Sequence, residues 1–238
     1  MIKLNKKTNE KYIKNAILGF VVLFIYLAMP YFQNVPYKIF NINPDTMPMW
    51  FKISYSLLFE FLRVMVVVFA LNKSLKKDFD DIKKNHKNYF KKSLKYYFIG
   101  LGVMMFSNII IYAVFKGGIA NNEEAIRKLF NISPIYVFFT ATIFAPVLEE
   151  LVFRRAIRNF VKYDWLFIII SGFIFGGLHV FGSIKTFADL LHLIPYTSLG
   201  ISFAYILTKT DNVLVPMGLH FMHNGILIAF QFTILLIG

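Results

Sequence analysis

Blocks of about twenty consecutive apolar residues constrain this chain more than any other feature. A bilayer core is about 30 Å thick, and a helix needs about 20 apolar residues to cross it. Seven stretches qualify, at approximately 15–33, 51–71, 96–116, 133–160, 165–183, 188–208 and 213–237. Only 16% of the 238 residues are charged and 57% are hydrophobic, leaving too little polar surface for a soluble domain of this length. The expected fold class is all-α: a polytopic transmembrane helix bundle of about seven spans, in one membrane domain covering 1–238. The first span follows a basic segment, as a signal peptide would, but its apolar run is longer than a typical h-region. It reads as an uncleaved anchor. The span at 188–208 is the weakest, interrupted by Asp189, His192 and Pro195.

A net charge of +13 raises the question of nucleic acid. The distribution points instead to membrane topology. Lysines cluster in the N-terminal arm (Lys3, Lys6, Lys7, Lys11, Lys14) and between Lys73 and Lys95, and both clusters flank hydrophobic spans. With the N-terminus inside, the inner segments hold these clusters plus Arg155, Arg158, Lys162 and Lys209. The outer segments hold only Lys38, Arg127, Lys128 and Lys185. The positive-inside rule then places the N-terminus in the cytoplasm and the C-terminus outside, with the lysines against anionic lipid. The 72–95 segment reads either as a solvated loop or as a surface helix with Phe79, Ile82 and Phe90 toward lipid. The chain has no cysteine, which excludes disulfides, thiolate catalysis and thiolate metal sites. No internal repeat is visible.

Ionisable groups inside a bilayer are costly, so they pair or face a cavity. Glu60 and Arg63, three apart, read as a structural pair. In the fourth span, Glu149 and Glu150 point about 100° apart on a helix and so do different jobs. Glu150 and Arg154, four apart in acid-before-base order, form the natural pair, leaving Glu149 on another face. Pro146 removes a backbone hydrogen bond just before them and favours a kink. The alternative is an ion-pair network at a positive-inside helix end. In the fifth span, Gly172 and Gly176 permit close helix approach, and His179 lies on nearly the same face. Taken alone, His179 reads as a buried histidine on a carbonyl. In the seventh span His220 and Asn224 share a face, with His223 beside it. They offer donors for one oxygen or a water, or else an interhelical hydrogen-bond patch. Counting along the helices puts Glu149 and His220 in the cytoplasmic half and His179 deeper, near or beyond the midplane; with three polar elements on three hydrophobic spans, the expectation is one cavity opening toward the cytoplasmic leaflet.

Glu149-Glu150-Leu151-Val152-Phe153-Arg154, Phe175-Gly176-Gly177-Leu178-His179 and His220-Phe221-Met222-His223-Asn224 occur in that order on three hydrophobic spans. Together they resemble the signature of the CPBP family, also called the Abi or CAAX-protease family: Glu-Glu-x-x-x-Arg, Phe-x-x-x-His, His-x-x-x-Asn. The resemblance covers roughly the second half of the chain, with the signature-bearing core at about 133–238. Arg155 departs from the glycine that often follows the family's arginine, and His223 is an extra imidazole.

The resemblance implies peptide-bond hydrolysis within the membrane, on CAAX-like or other membrane-associated peptides. It also implies a link to bacteriocin immunity for many bacterial members. By position, Glu149 is the general base, His179 helps activate water, and His220 and Asn224 stabilise the oxyanion. Glu150 and Arg154 provide structural support. His223, outside the signature, is expected to matter less than Asn224. Metal use stays open. Glu149, His179 and His220 are the candidate zinc ligands, but His-Glu-x-x-His is absent and the same residues suit a metal-free water activator. The expected partners are a membrane-associated peptide or protein substrate and the lipid bilayer, with no nucleic acid. The competing class is a non-catalytic immunity or scaffold protein, and a proton-relaying transporter is a third. One void shared by Glu149, His179 and His220 favours the enzyme; separate pairing of each to a carbonyl favours the scaffold.

Overall fold

The computed structural model describes residues 6–237. Lys3 lies outside them, as do the side chains of Lys6 and Lys7. The described residues contain helices and no strand: α1 (Lys6–Phe32), α2 (Val35–Ile39), α3 (Met49–Ala70), α4 (Asn72–Phe115), α5 (Asn121–Ile132), α6 (Pro134–Phe160), α7 (Asp164–Val180), α8 (Phe187–Leu191), α9 (Leu193–Thr210) and α10 (Leu214–Ile237). Among the described residues, seven stretches are long and apolar enough to cross a membrane, and they coincide with the expected spans to within a few residues apart from α4 and the start of the first. The chain is an integral, multi-pass membrane protein. Apolar side chains on its outer faces, such as Phe24, Phe69 and Leu236, are exposed because lipid is their solvent.

The 72–95 segment is neither a loop nor a separate surface helix. It continues into the third span as one helix of 44 residues, roughly 66 Å long at 1.5 Å per residue. About half of α4 therefore stands beyond a 30 Å hydrocarbon core. Phe79 is exposed. Ile82 and Phe90 instead pack inward, against a cluster containing Phe203, Val215 and Leu219.

The main core is built around α6, where Leu151, Val152, Phe153, Ala156 and Ile157 are all fully buried. Around them pack Val22 of α1, Val64 and Val67 of α3, Phe167 and Phe175 of α7 and Leu207 of α9. The close approach expected of Gly172 and Gly176 occurs within the chain, against α9. A Cβ on Gly176 would lie 2.9 Å from the Thr197 backbone nitrogen, and one on Gly172 would lie 3.0 Å from that of Ile201.

At the lysine-rich end of the bundle, Arg155 is buried rather than facing water as a loop charge would. It ion-pairs with Asp78 of α4, itself buried, and donates to the Asp211 carbonyl at 3.3 Å. Asp78 Oδ2 also accepts from the Val213 backbone N–H at 3.2 Å. The fully buried Asn212 donates to the Asp78 carbonyl and to Asp81 Oδ2, each at 2.8 Å. Arg155, the departure from the family pattern, thus ties α4 to α6 and to the turn between α9 and α10. Removing one partner strands a buried charge at a cost of about 3–5 kcal/mol. Asp78→Ala is therefore expected to lower the thermal midpoint of the purified protein markedly, and Lys77→Ala, which breaks only the exposed pair with Asp211, to leave it nearly unchanged.

Candidate active site

The site begins with an irregularity in α6. Two π-helical stretches, Phe138–Phe144 and Glu150–Ala156, flank an α turn at Ala145–Glu149. Such wide turns are uncommon and cluster at functional sites. Pro146 explains part of the pattern. The Ala145 N–H bonds the Thr140 carbonyl, and the next residue in that five-residue register, Pro146, has no N–H to give to Ala141. Asn224 Nδ2 supplies the missing donor, 2.8 Å from the Ala141 carbonyl. The proline's effect is thus a widened helix clipped to α10.

Glu150 and Arg154 are both fully buried, with Arg154 Nε 3.1 Å from Glu150 Oε2. This is a charge contact rather than a well-aligned hydrogen bond, since neither atom meets hydrogen-bond geometry. Arg154 has other support: Nη1 donates to Ser171 Oγ at 3.3 Å, and the guanidinium lies 4.8 Å from the centre of the Phe175 ring. The other Glu150 oxygen, Oε1, lies 2.9 Å from His220 Nδ1. An ionised carboxylate only accepts, so Nδ1 carries the hydrogen and the neutral ring turns a lone pair outward at Nε2. That Nε2 lies 3.8 Å from Glu149 Oε2. The adjacent glutamates do point apart, but His220 spans the gap and touches both.

His179 Nδ1 donates to the Phe175 carbonyl at 2.8 Å, and its ring stacks on Tyr196 with centroids 4.8 Å apart. The His179 and His220 rings each contact the ring of Phe175, at 4.6 Å and 5.8 Å between centroids. His223 Nδ1 lies 3.1 Å from the Tyr97 hydroxyl of α4.

Glu149, His179, His220 and Asn224 line one cavity of about 540 Å³, together with His223. Both features set out above as discriminating are present. His179 and Asn224 are each anchored on a carbonyl, while Glu149 and His220 face each other across the void. Each carbonyl contact commits one atom of its side chain and leaves others for the cavity. A smaller cavity of about 220 Å³ meets the first at Glu149 and reaches the Glu60–Arg63 pair, whose contacts are 2.7 Å and 2.9 Å long.

The larger cavity does not lead toward the lysine-rich end. Its wall continues past Asn108 and Tyr112 near the end of α4 to Asn122 and Arg127 of α5, and includes His192 at the start of α9. These lie at the opposite end of the bundle from the Arg155 cluster. The expected opening toward the lysine-rich side is therefore corrected. His179, one residue before the last of α7, belongs to the far end, and counting depth from the inner end of each span did not show which end the void joins.

Among the described residues no three His, Asp or Glu side chains converge as a metal-holding group. Glu149, His179 and His220, the candidate zinc ligands, are thus not drawn together as a metal-holding group. Sequence reasoning missed two residues here. Tyr97 carries no signal within an apolar run, and His192 appeared only as an interruption of its span.

The family model described as type II CAAX prenyl endopeptidase Rce1-like matches residues 131–226, which include all three signature elements. The putative membrane peptidase YdiL of Bacillus subtilis is 29% identical over 179 residues, covering 72% of this chain and 69% of the relative. The membrane-embedded CAAX protease MroQ of Staphylococcus aureus is 28% identical over 159 residues, covering 59% of this chain and 61% of the relative. An uncharacterised protein of Mycoplasma capricolum is 27% identical over 181 residues, with 70% and 51% covered. No solved structure matches the chain significantly. The motifs, the helical membrane architecture and these likenesses all point to the CPBP family of intramembrane proteases, and the chain is a membrane peptidase.

Proposed function

We propose that this peptidase hydrolyses a peptide bond of a membrane-associated peptide, CAAX-like or otherwise, with Glu149 as general base. The observation that carries the reading is the 3.8 Å gap between Glu149 Oε2 and His220 Nε2. It is too long for a direct hydrogen bond and suits one water bonded to both. Glu149 takes the water's proton as it attacks and returns it to the leaving nitrogen. His220 holds the water through its Nε2 lone pair, in a tautomer set by Glu150. That lone pair cannot donate to an oxyanion, so the donor role given to His220 by the resemblance passes to the second N–H of Asn224. His179, with Nδ1 on a carbonyl, turns the unprotonated Nε2 of its neutral form away from that bond and assists proton movement. Glu150 and Arg154 hold His220 and α6 in register. No step passes through a metal.

Glu149→Gln keeps shape and hydrogen bonding but cannot take a proton. It is expected to fold and bind substrate yet cleave nothing, checked by comparing membrane proteomes and cleavage of CAAX-terminated peptides with wild type. Normal cleavage by this variant overturns the mechanism. Asn224→Ala is expected to retain residual turnover, because one oxyanion donor is worth about 100- to 1,000-fold.

Glu150→Gln and Arg154→Ala each strand a buried charge and are expected to reduce folded protein, read by size-exclusion profile and thermal melt. A fully folded Arg154→Ala protein that had lost only activity would move Arg154 into the catalytic set.

For topology, the lysine bias supports a cytoplasmic N-terminus. The cavity then leads toward the outer face. In intact cells Ser74→Cys is expected to be shielded from an impermeant thiol reagent and Ile119→Cys to be labelled; the reverse pattern inverts the assignment.

A further inference from the structure

Read from the sequence, His223 ranks below Asn224 because it falls outside the signature. Its surroundings give it a larger part. Tyr97 is 3% exposed, and its hydroxyl meets one protein partner among the described residues, His223 Nδ1 at 3.1 Å. A buried phenol must place its proton on an acceptor, and Nδ1 is the acceptor present. The neutral His223 ring therefore carries its own hydrogen on Nε2. That Nε2 meets no protein partner and is not among the buried unpartnered atoms, so it reaches the cavity the residue lines.

His220 has the opposite arrangement, with Nδ1–H on Glu150 and a lone pair at Nε2. The two imidazoles present complementary edges to one void, one accepting and one donating. Residues three and four beyond His220 lie one turn along α10, on either side of its face. A carbonyl seated one turn along from His220 is thus flanked by His223 and Asn224.

We propose that His223 Nε2–H is an oxyanion-binding donor of this peptidase, working beside the second N–H of Asn224, and that Tyr97 is the positioning residue that fixes its tautomer. The proposal rests on the reading of Glu149 as base. The water oxygen bonds to the carbonyl carbon as the carbonyl π pair moves onto oxygen, and Glu149 takes the water's proton. His223 and Asn224 donate to that oxyanion. The C–N bond then breaks as the carbonyl re-forms, and Glu149 delivers its proton to the departing nitrogen, giving an acid and an amine.

The test uses full-length protein in nanodiscs, with a quenched fluorescent peptide ending in a CAAX sequence, farnesylated and unmodified. His223→Phe is expected to lower kcat by about 100- to 1,000-fold with little change in KM, because the donor acts on charge that exists only in the transition state. His223→Gln, which retains a donor near the Nε2 position, is expected to recover part of the loss. The second readout is the ¹⁵N-imidazole spectrum, with the His223 signal identified by its loss in His223→Gln. Wild type is expected to show the Nε2–H tautomer there and Tyr97→Phe a mixture, with a smaller fall in kcat. A retained kcat in His223→Phe, or an Nδ1–H tautomer in wild type, overturns the proposal. If wild type and Glu149→Gln are equally inert on both peptides, the proposed activity on CAAX-like peptides fails, while the spectrum still decides whether His223 is a cavity donor.

Discussion

The site depends on one buried contact, that between His220 Nδ1 and Glu150 Oε1 at 2.9 Å. An ionised carboxylate inside a bilayer costs several kcal/mol unless its oxygens are met. Here one oxygen accepts from His220 and the other lies 3.1 Å from Arg154. The guanidinium is held in turn by Ser171 Oγ and the face of Phe175. Each member of this chain is tolerable only because the next is present. A consequence follows for chemistry: with Nδ1 committed, the Nε2 edge of His220 is fixed in direction and in tautomer, and it faces Glu149. The ion pair that looks purely structural thereby sets the hydrogen-bonding character of the edge turned toward Glu149.

The same economy governs the backbone of α6. A proline among glutamates in mid-membrane would normally leave an unsatisfied carbonyl in hydrocarbon. The π-helical register moves that deficit to Ala141, and the Asn224 side chain meets it from α10. Asn224 is therefore a helix clip as well as a candidate oxyanion donor, using a different hydrogen for each. The two duties are not in conflict: the clip fixes the amide plane, and a fixed amide is a better preorganised donor than a free one.

Much of this was legible in the sequence for a physical reason. In lipid, span length and the rarity of polar residues are imposed by the solvent, so span positions and the Glu150–Arg154 pair could be read from spacing alone. The lysine-rich part of α4 was not legible as one long helix because its buried stripe is mixed. Leu75, Asp78, Ile82, Asn85, Tyr89, Ser93 and Tyr97 recur at helical spacing and line its buried or half-buried face, but the polar members hide the period from a hydrophobicity count. Tyr97 was invisible for the converse reason, being one aromatic in an apolar run. The direction of the cavity was missed because depth along a helix says nothing about which neighbours leave a void. Phe175 is read from sequence as a motif position, and its contact with both imidazoles appears only in three dimensions.

The two polar centres are mechanically related. Arg154 and Arg155 are consecutive, yet the first turns into the site and the second into the cluster with Asp78 and Asp211. That cluster holds α4 through Asp78, α6 through Arg155, and the start of α10 through the Val213 N–H. Those are the helices that bring Glu149, His220 and His223 to the cavity, with Tyr97 and Glu150 behind the two histidines. Asp78 and Tyr97 are separated by about 28 Å of helix at 1.5 Å per residue, so the cluster touches none of the reacting groups. Its effect is axial. Helices packed through apolar side chains in lipid gain little hydrophobic force to fix their sliding register, whereas a buried ion pair with backbone donors admits only one. Hydrogen bonds such as His220–Glu150 and Tyr97–His223 tolerate errors of a few tenths of an ångström. A register pinned at one end of three rigid helices is what keeps them within that tolerance at the other.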